Sequence, residues 1–170
     1  GTAVSLGIHE SQSRLWENQV GRGLPFWKWC TPKLENFFGK STDGFSLDEL
    51  YGAANIVEPG FIRVDADEAT YNMHVMVRFE IERLLIAGSL APKDLPGEWN
   101  RRYKEYLGLT VPDDRRGCLQ DVHWSMGAFG YFPTYTLGTL YSAQFFDAAK
   151  KAMPGLEDGF AKGDFVPLRE

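Results

Sequence analysis

The segment from Asp67 to Gly88 constrains the fold more than any other part of the sequence. Its apolar residues recur at helical spacing in two stripes, one across residues 71–86 and the other across residues 77–85. Asp67 suits an N-cap, and Gly88 suits the end of a helix. A helix with two apolar stripes must be covered by two neighbours. We therefore predict that this helix lies at the centre of a helical core.

Proline, glycine and capping signals divide the rest of the chain into further helical segments. Helices are predicted over residues 5–20, 25–39, 46–55, 94–108, 119–125, 133–153 and 156–163. Only residues 61–65 alternate apolar and polar side chains as a strand does. The predicted class is all-α, a bundle-like arrangement with one short strand or hairpin around residues 60–66. No internal repeat or clear boundary interrupts the sequence, so residues 1–170 are expected to form a single segment.

Composition and charge exclude several functional classes. The 18 basic and 23 acidic side chains give a net charge of −5, whereas a nucleic-acid-binding protein usually presents a basic surface to phosphates. The two cysteines, Cys30 and Cys118, form no C-x-x-C pair, which suits a reducing, cytoplasmic compartment. No run approaches the about 18 consecutive apolar residues that span a membrane. Neither nucleic acid nor a membrane is an expected partner.

His9 and Glu10 lie near the start of the first predicted helix. A carboxylate in a first helical turn is stabilised by unpaired amides and by the positive end of the helix. The alternative is an ordinary ion pair with Arg14, one turn further on. The chain has three histidines, and no two of them form a local metal-binding pair such as H-E-x-x-H.

Arg63 lies on the predicted strand beside a cluster of acidic residues, namely Asp65, Asp67 and Glu68. A guanidinium group binds carboxylates with two parallel hydrogen bonds, so Arg63 is a candidate for binding the carboxylate of a substrate. The alternative is an ion pair between Arg63 and one of the neighbouring acids.

Two further clusters carry groups that could act in catalysis. Gln120 and His123 fall on one face of a predicted helix, with a possible orienting acid nearby. Tyr131 and Tyr135 flank a turn into the next helix, where their hydroxyl groups could donate hydrogen bonds to a developing oxyanion. The alternative is that the histidine and the tyrosines are ordinary buried residues.

Four motifs, taken together and in this order, resemble those of a known enzyme family. They are Gly-Ile-His-Glu-Ser-Gln-Ser-Arg-Leu-Trp-Glu-Asn at 7–18, Ile-Arg-Val-Asp-Ala-Asp-Glu at 62–68, Gly-Cys-Leu-Gln-Asp-Val-His-Trp at 117–124 and Gly-Tyr-Phe-Pro-Thr-Tyr at 130–135. The chain resembles the carboxypeptidase Taq family of zinc metallocarboxypeptidases over essentially its whole length. The resemblance implies a mostly helical enzyme with a deep groove that binds the C-terminus of a peptide.

The resemblance also implies roles for individual residues. Members of the family bind zinc through two histidines of an H-E-x-x-H helix and a glutamate from the His-Glu-Ser-Gln motif, so Glu10 is expected to be the third zinc ligand. His9 would help to orient the site, and Arg63 would bind the terminal carboxylate of the peptide. The remaining candidates would line the groove: His123, Tyr131 and Tyr135 as catalytic residues that stabilise the tetrahedral intermediate or the carboxylate, and Gln120 and Trp124 as their supports.

The H-E-x-x-H motif itself is absent from the sequence, as are the His-Pro-Phe and Asp-x-Arg-x-Thr signatures of the family. The chain therefore resembles an interior or C-terminal part of the peptidase catalytic domain, truncated at both ends. We expect it to be inactive alone, and we expect the complete enzyme to be a homodimer. The alternatives are a non-catalytic helical interaction or dimerisation module and a related metal-free binding protein.

Overall fold

The structure is a computed structural model that describes residues 4–39 and 44–170, and those residues form helices and connecting turns. The α-helices are α1 (Leu6–Arg14), α2 (Leu24–Phe38), α3 (Leu47–Ala54), α4 (Tyr71–Ile86), α5 (Leu95–Leu107), α6 (Pro133–Ala152), α7 (Leu156–Phe160) and α8 (Val166–Arg169). No strand occurs within the described residues. The prediction of an all-α chain is confirmed.

Several helix ends form where the capping signals predict them. Ser46 accepts a hydrogen bond from the backbone N–H of Glu49, whose carboxylate accepts one from the Ser46 N–H, so α3 begins with a complete capping box. Gly108 ends α5 in the left-handed conformation, at φ 73°. The helix predicted over residues 5–20 forms, but its second half, Leu15–Gly21, winds as a π-helix. Apolar periodicity does not reveal such local changes of winding.

The strand predicted around residues 60–66 is wrong. Arg63–Asp65 form a 3₁₀ turn, in which the N–H of Ala66 donates to the carbonyl of Arg63 at 3.2 Å. The backbone N–H of Arg63, which a strand would use for ladder pairing, donates instead to the side chain of Gln120 at 2.9 Å. The segment is therefore anchored by a side chain and not by a second strand.

The short helix predicted over residues 119–125 is also wrong, because this segment consists of turns and bends. The side-chain amide of Gln120 donates to the carbonyls of Arg116 and Gly117 at 3.0 and 3.1 Å, so a local contact between side chain and backbone stabilises the turn that precedes this segment. Asp67 likewise caps a turn and not the helix itself. Its carboxylate accepts from the Thr70 N–H at 2.8 Å, and α4 begins only at Tyr71.

The chain divides into two compact units, Gly1–Ile56 with Gly138–Glu170, and Val57–Leu137. The core of the second unit forms between α4 and α5, where Val77, Ile81, Trp99 and Tyr103 are almost wholly excluded from solvent. This confirms that α4 lies at the centre of a helical core. A separate core of the first unit contains Leu15, Val20, Phe146, Leu156 and Phe160. None of the helices in the two described ranges combines the length and apolarity needed to cross a bilayer.

Candidate functional site

One face of α4 buries three polar side chains at intervals of four residues, so that each lies one helical turn from the next. His74 and Arg78 have no exposed surface, and Glu82 is 6% exposed. Polar groups are buried at such positions only when partners compensate their desolvation. We name these three residues the α4 polar row. Their long-range partners come from residues 103–130 of the same unit.

Arg78 and Arg63 share one carboxylate. The Nε of Arg78 donates to Oδ2 of Asp121 at 2.6 Å, while Nε and Nη2 of Arg63 donate to Oδ1 at 3.0 and 2.8 Å. Burial alone would raise the pKa of Asp121, but the positive charges of Arg78 and Arg63 lower it below its usual value. Asp121 is therefore an ionised bridge between the two guanidinium groups.

Gln120 connects the same residues through its amide. Its Oε1 accepts from the backbone N–H of Arg63 at 2.9 Å and from Nη2 of Arg78 at 2.6 Å, and its Nε2 donates to the carbonyl of Phe61 at 3.0 Å. The Tyr103 hydroxyl donates to the same carbonyl at 3.1 Å. Gln120 thus holds the backbone of Arg63 in place, although Gln120 lies in a turn and not in the helix that we predicted.

Arg63 itself is 6% exposed and lies against aromatic rings. Its guanidinium carbon is 4.8 Å from the centre of the Tyr135 ring, and its Nη1 donates to the Tyr71 hydroxyl at 3.1 Å. The interpretation that Arg63 pairs with Asp65, Asp67 or Glu68 is wrong, since its ionic partner is Asp121. Three of its five N–H groups are bonded to Asp121 and Tyr71, so two have no hydrogen-bond partner among the described residues.

The histidine and the two tyrosines singled out from the sequence lie together. Nε2 of His123 is 3.0 Å from the Tyr135 hydroxyl, and the ring centres of Tyr131 and Tyr135 are 5.3 Å apart. His123 also packs on Phe132, with 4.4 Å between ring centres. Burial lowers the pKa of His123, and the charges of two arginines lower it further against the opposing effect of Asp121. A neutral imidazole is therefore the favoured form near pH 7.

Glu82 fixes the loop between His123 and Tyr131. Its two carboxylate oxygens accept hydrogen bonds from the Trp124 indole, at 2.9 Å, and from the backbone N–H of Gly130. Gly130 has a φ of 80°, a conformation that favours glycine. Trp124 and Gly130 are therefore tied to the same acid on α4.

Neither the α4 polar row nor Tyr71 is among the candidate site residues predicted from the sequence. The available signal was their spacing, because the three residues recur every four positions on one face of a helix that is otherwise strongly apolar. Their long-range partners gave no such signal.

Glu10 and His9 lie on α1, in the other unit. Ser5 caps this helix, so Glu10 falls in its second turn and the expected stabilisation by the first turn does not apply. The expected ion pair with Arg14 is wrong, because Arg14 donates to Glu17 at 2.9 Å and to the Thr139 hydroxyl at 3.2 Å. His9 is exposed and Glu10 is half-buried.

The Glu10 carboxylate has no hydrogen bond or ion pair with any described residue, which fits a group that can still accept a metal ion. Within the described ranges, no three His, Cys, Asp or Glu side chains come close enough together to hold a metal ion. The described residues around Glu10 therefore fit the role of a single metal donor and not that of a complete metal site.

Comparison with known proteins gives a consistent result along the whole chain. The sequence model of the carboxypeptidase Taq (M32) metallopeptidase family matches residues 1–170. Thermostable carboxypeptidase 1 of Thermus thermophilus is 53% identical over 99% of this chain, and thermostable carboxypeptidase 1 of Pyrococcus furiosus is 45% identical over 98%. In each case the chain covers 33% of the relative, so it spans about a third of the length of these proteins.

Solved structures give the same result for the fold. The M32 carboxypeptidase from Deinococcus radiodurans, whose crystal structure is known, shares 50% sequence identity with this chain. The match covers 99% of this chain and 34% of the Deinococcus chain, with a TM-score of 0.92. Metallocarboxypeptidase 1 of Trypanosoma cruzi is 42% identical, matches 98% of this chain and 35% of its own, and has a TM-score of 0.91. The chain belongs to the carboxypeptidase Taq (M32) metallopeptidase family.

Proposed function

We propose that this chain is part of a zinc-dependent metallocarboxypeptidase that releases C-terminal amino acids from peptides. The observation that carries the proposal is the environment of Arg63. Its guanidinium group is buried beside His123 and two tyrosines, and two of its N–H groups have no hydrogen-bond partner among the described residues. The relatives named above are carboxypeptidases or metallocarboxypeptidases, which supports the same activity for the complete protein.

Arg63 is the residue that binds the terminal carboxylate of the peptide. Asp121 and Tyr71 hold the guanidinium group in one orientation, so little conformational freedom remains to be lost when a carboxylate binds. The Tyr135 ring, 4.8 Å from the guanidinium carbon, excludes water from one side. A charge-assisted hydrogen bond is stronger in such a dry environment than in water.

His123, Tyr131 and Tyr135 act on the reacting part of the peptide. A neutral imidazole can donate a hydrogen bond through one nitrogen and accept one through the other, and its Nε2 already lies 3.0 Å from the Tyr135 hydroxyl. The tyrosine hydroxyls can donate to the oxyanion of a tetrahedral intermediate. Glu82 and Trp124 keep this cluster in position through the loop that they anchor.

Glu10 contributes one metal ligand, and the exposed His9 beside it helps to orient the site. Zinc, when bound, would polarise the scissile carbonyl and lower the pKa of a bound water. A single carboxylate holds zinc weakly, because a stable tetrahedral site needs several donors. We therefore propose that the other ligands belong to an H-E-x-x-H motif outside this sequence and that the 170-residue chain is inactive alone. A cytoplasmic homodimer is the proposed state of the complete enzyme.

The experiment is steady-state release of C-terminal residues by the complete protein carrying Arg63→Lys. Hydrogen bonds to charged groups contribute about 1.5–3 kcal/mol, so KM for peptides with a free carboxylate should rise about 10- to 100-fold. Arg116→Lys is the matched control, since Arg116 pairs with Asp113 on the surface. An unchanged KM in a folded, metal-loaded Arg63→Lys protein would contradict the proposal. The rival interpretation, a non-catalytic interaction module, predicts no peptide hydrolysis by any form of the complete protein.

A further inference from the structure

Helix α6 meets α1 at Glu10, and the residue at the point of contact is Gly138. A Cβ atom added to Gly138 would lie 2.9 Å from both Cβ and Cγ of Glu10, and 3.0 Å from its backbone carbonyl carbon. Real Cβ atoms essentially never approach other atoms within 3.0 Å. The contact therefore requires a residue without a side chain at position 138.

The backbone of Gly138 does not itself require glycine. Gly138 is buried inside α6 and is not among the glycines with positive φ, so alanine could adopt the same conformation. Glycine is also less favourable than alanine in the interior of a helix. The steric reason for glycine at this position is the approach of Glu10.

A second contact holds α1 in place beside Gly138. Thr139 accepts a hydrogen bond from Nε of Arg14, one turn beyond Glu10, at 3.2 Å, and Arg14 is only 5% exposed. The atoms of Glu10 that meet Gly138 include its carbonyl carbon and Cβ, whose positions are fixed by the helix backbone, as well as Cγ, which moves only if the side chain changes its χ1 rotamer. A methyl group at position 138 would therefore displace the helix or the carboxylate.

We propose that Gly138, together with the hydrogen bond of Thr139, positions the Glu10 carboxylate for metal binding. This inference rests on the proposed function. Ordinary van der Waals contact begins at 3.4 Å, so relieving a contact of 2.9 Å requires a shift of about 0.5 Å. Metal–ligand distances tolerate changes of only about 0.2 Å. Gly138 is thus a positioning residue that acts on the metal through Glu10.

The test uses the metal-free complete protein and measures the dissociation constant for zinc by competition with a chromophoric chelator. Gly138→Ala should weaken zinc binding at least about 10-fold, as the loss of outer supports of metal ligands typically does. Gly52→Ala is the matched control, since Gly52 lies within α3 and has no atom within 4 Å of an added Cβ. Its zinc affinity should not change. An affinity of Gly138→Ala within twofold of the parent would overturn the inference.

A double variant separates positioning from a general loss of structure. In the Glu10→Ala background, Gly138→Ala should cause no further loss of zinc affinity, because the two residues act through one ligand. Additive losses would contradict the inference. If Glu10→Ala alone leaves zinc affinity unchanged, the proposed function fails, whereas a loss with Glu10→Ala but not with Gly138→Ala refutes only the role of Gly138.

Folding is checked by the thermal midpoint of the metal-free protein. If Gly138→Ala does not fold, Thr139→Val provides the second variant, because it removes the hydroxyl that accepts from Nε of Arg14 without adding bulk to the contact. Zinc affinity should then fall by a smaller factor, in the same direction. A folded Thr139→Val protein with the zinc affinity of the parent would overturn the inference.

Discussion

The buried imidazole of His74 should make the stability of this protein depend on pH between pH 6.5 and about 4. His74 has no exposed surface, its Nδ1 lies 3.1 Å from the Tyr103 hydroxyl, and its Nε2 has no hydrogen-bond partner among the residues that the structure describes. We assign the proton to Nδ1, because the Tyr103 hydroxyl donates its own hydrogen to the Phe61 carbonyl at 3.1 Å. Protonating Nε2 would place an unpaired charge in the core.

The pKa of His74 is lowered from 6.5 to about 4, chiefly by burial. The positive charges of Arg78 and Arg63 lower it further, and the carboxylates of Asp121 and Asp67 only partly oppose them. The unfolded chain binds a proton at this histidine near pH 6.5, whereas the folded chain does so only near pH 4. The stabilisation is therefore fully present above pH 6.5 and is lost as the pH falls through about 4.

The magnitude follows from the two pKa values. The interval from 6.5 to about 4 corresponds to about 3.5 kcal/mol, at about 1.4 kcal/mol for each pH unit. Urea unfolding should show that the free energy of unfolding of the parent protein falls between pH 7.5 and pH 4. We expect this fall to be about 2–3 kcal/mol larger than the fall measured for His74→Gln, whose side chain does not titrate. His9→Gln, at an exposed histidine, is the control and should follow the parent. Parallel pH profiles for the parent and His74→Gln would refute the reasoning.

Two further predictions concern the other members of the α4 polar row, each tested by urea unfolding of the complete protein at pH 7. Arg78→Met should lower the free energy of unfolding by about 3 kcal/mol, because Asp121 stays buried with one cation in place of two. Arg101→Met, at an exposed ion pair, should have a much smaller effect. Equal losses from the two arginine variants would contradict this account. Glu82→Ala should cost about 2 kcal/mol or more, because Trp124 and a backbone amide both lose a buried acceptor, and Glu82→Gln, which keeps one acceptor oxygen, should cost less. If Glu82→Gln proves as costly as Glu82→Ala, the carboxylate charge and not the loss of acceptors explains the effect.

Local signals in the sequence predicted most of the helices, since they depend on residues that are near neighbours. The capping box at Ser46 and the left-handed Gly108 act within one helical turn, so their effects can be read directly from the sequence. The turn at Arg63–Asp65 could not be predicted in this way, because the group that replaces strand pairing is the side chain of Gln120, 57 residues away. Alternation of apolar residues describes burial and does not reveal which partner satisfies the backbone.

The candidate site shows the same difference between residues that the sequence indicates and long-range partners that it does not. The resemblance singled out Arg63, His123 and Tyr135, and the structure brings them together. The ionic partner of Arg63 was not predicted, because three acids lie closer to it in sequence than Asp121 does, and charge alone does not distinguish among them. A buried ion pair is determined by which carboxylate the fold desolvates beside the guanidinium, and only tertiary packing decides that.

Asp121 is shared by two arginines, so these three side chains carry a surplus of one positive charge, which the buried carboxylates of Glu82 and Asp67 partly offset within the second unit. His123, which is favoured in its neutral form, does not change that balance. The chain as a whole carries a charge of −5, yet this cationic point lies where water and salt screen it poorly. Under the proposed function, the end of a peptide supplies the missing counter-ion.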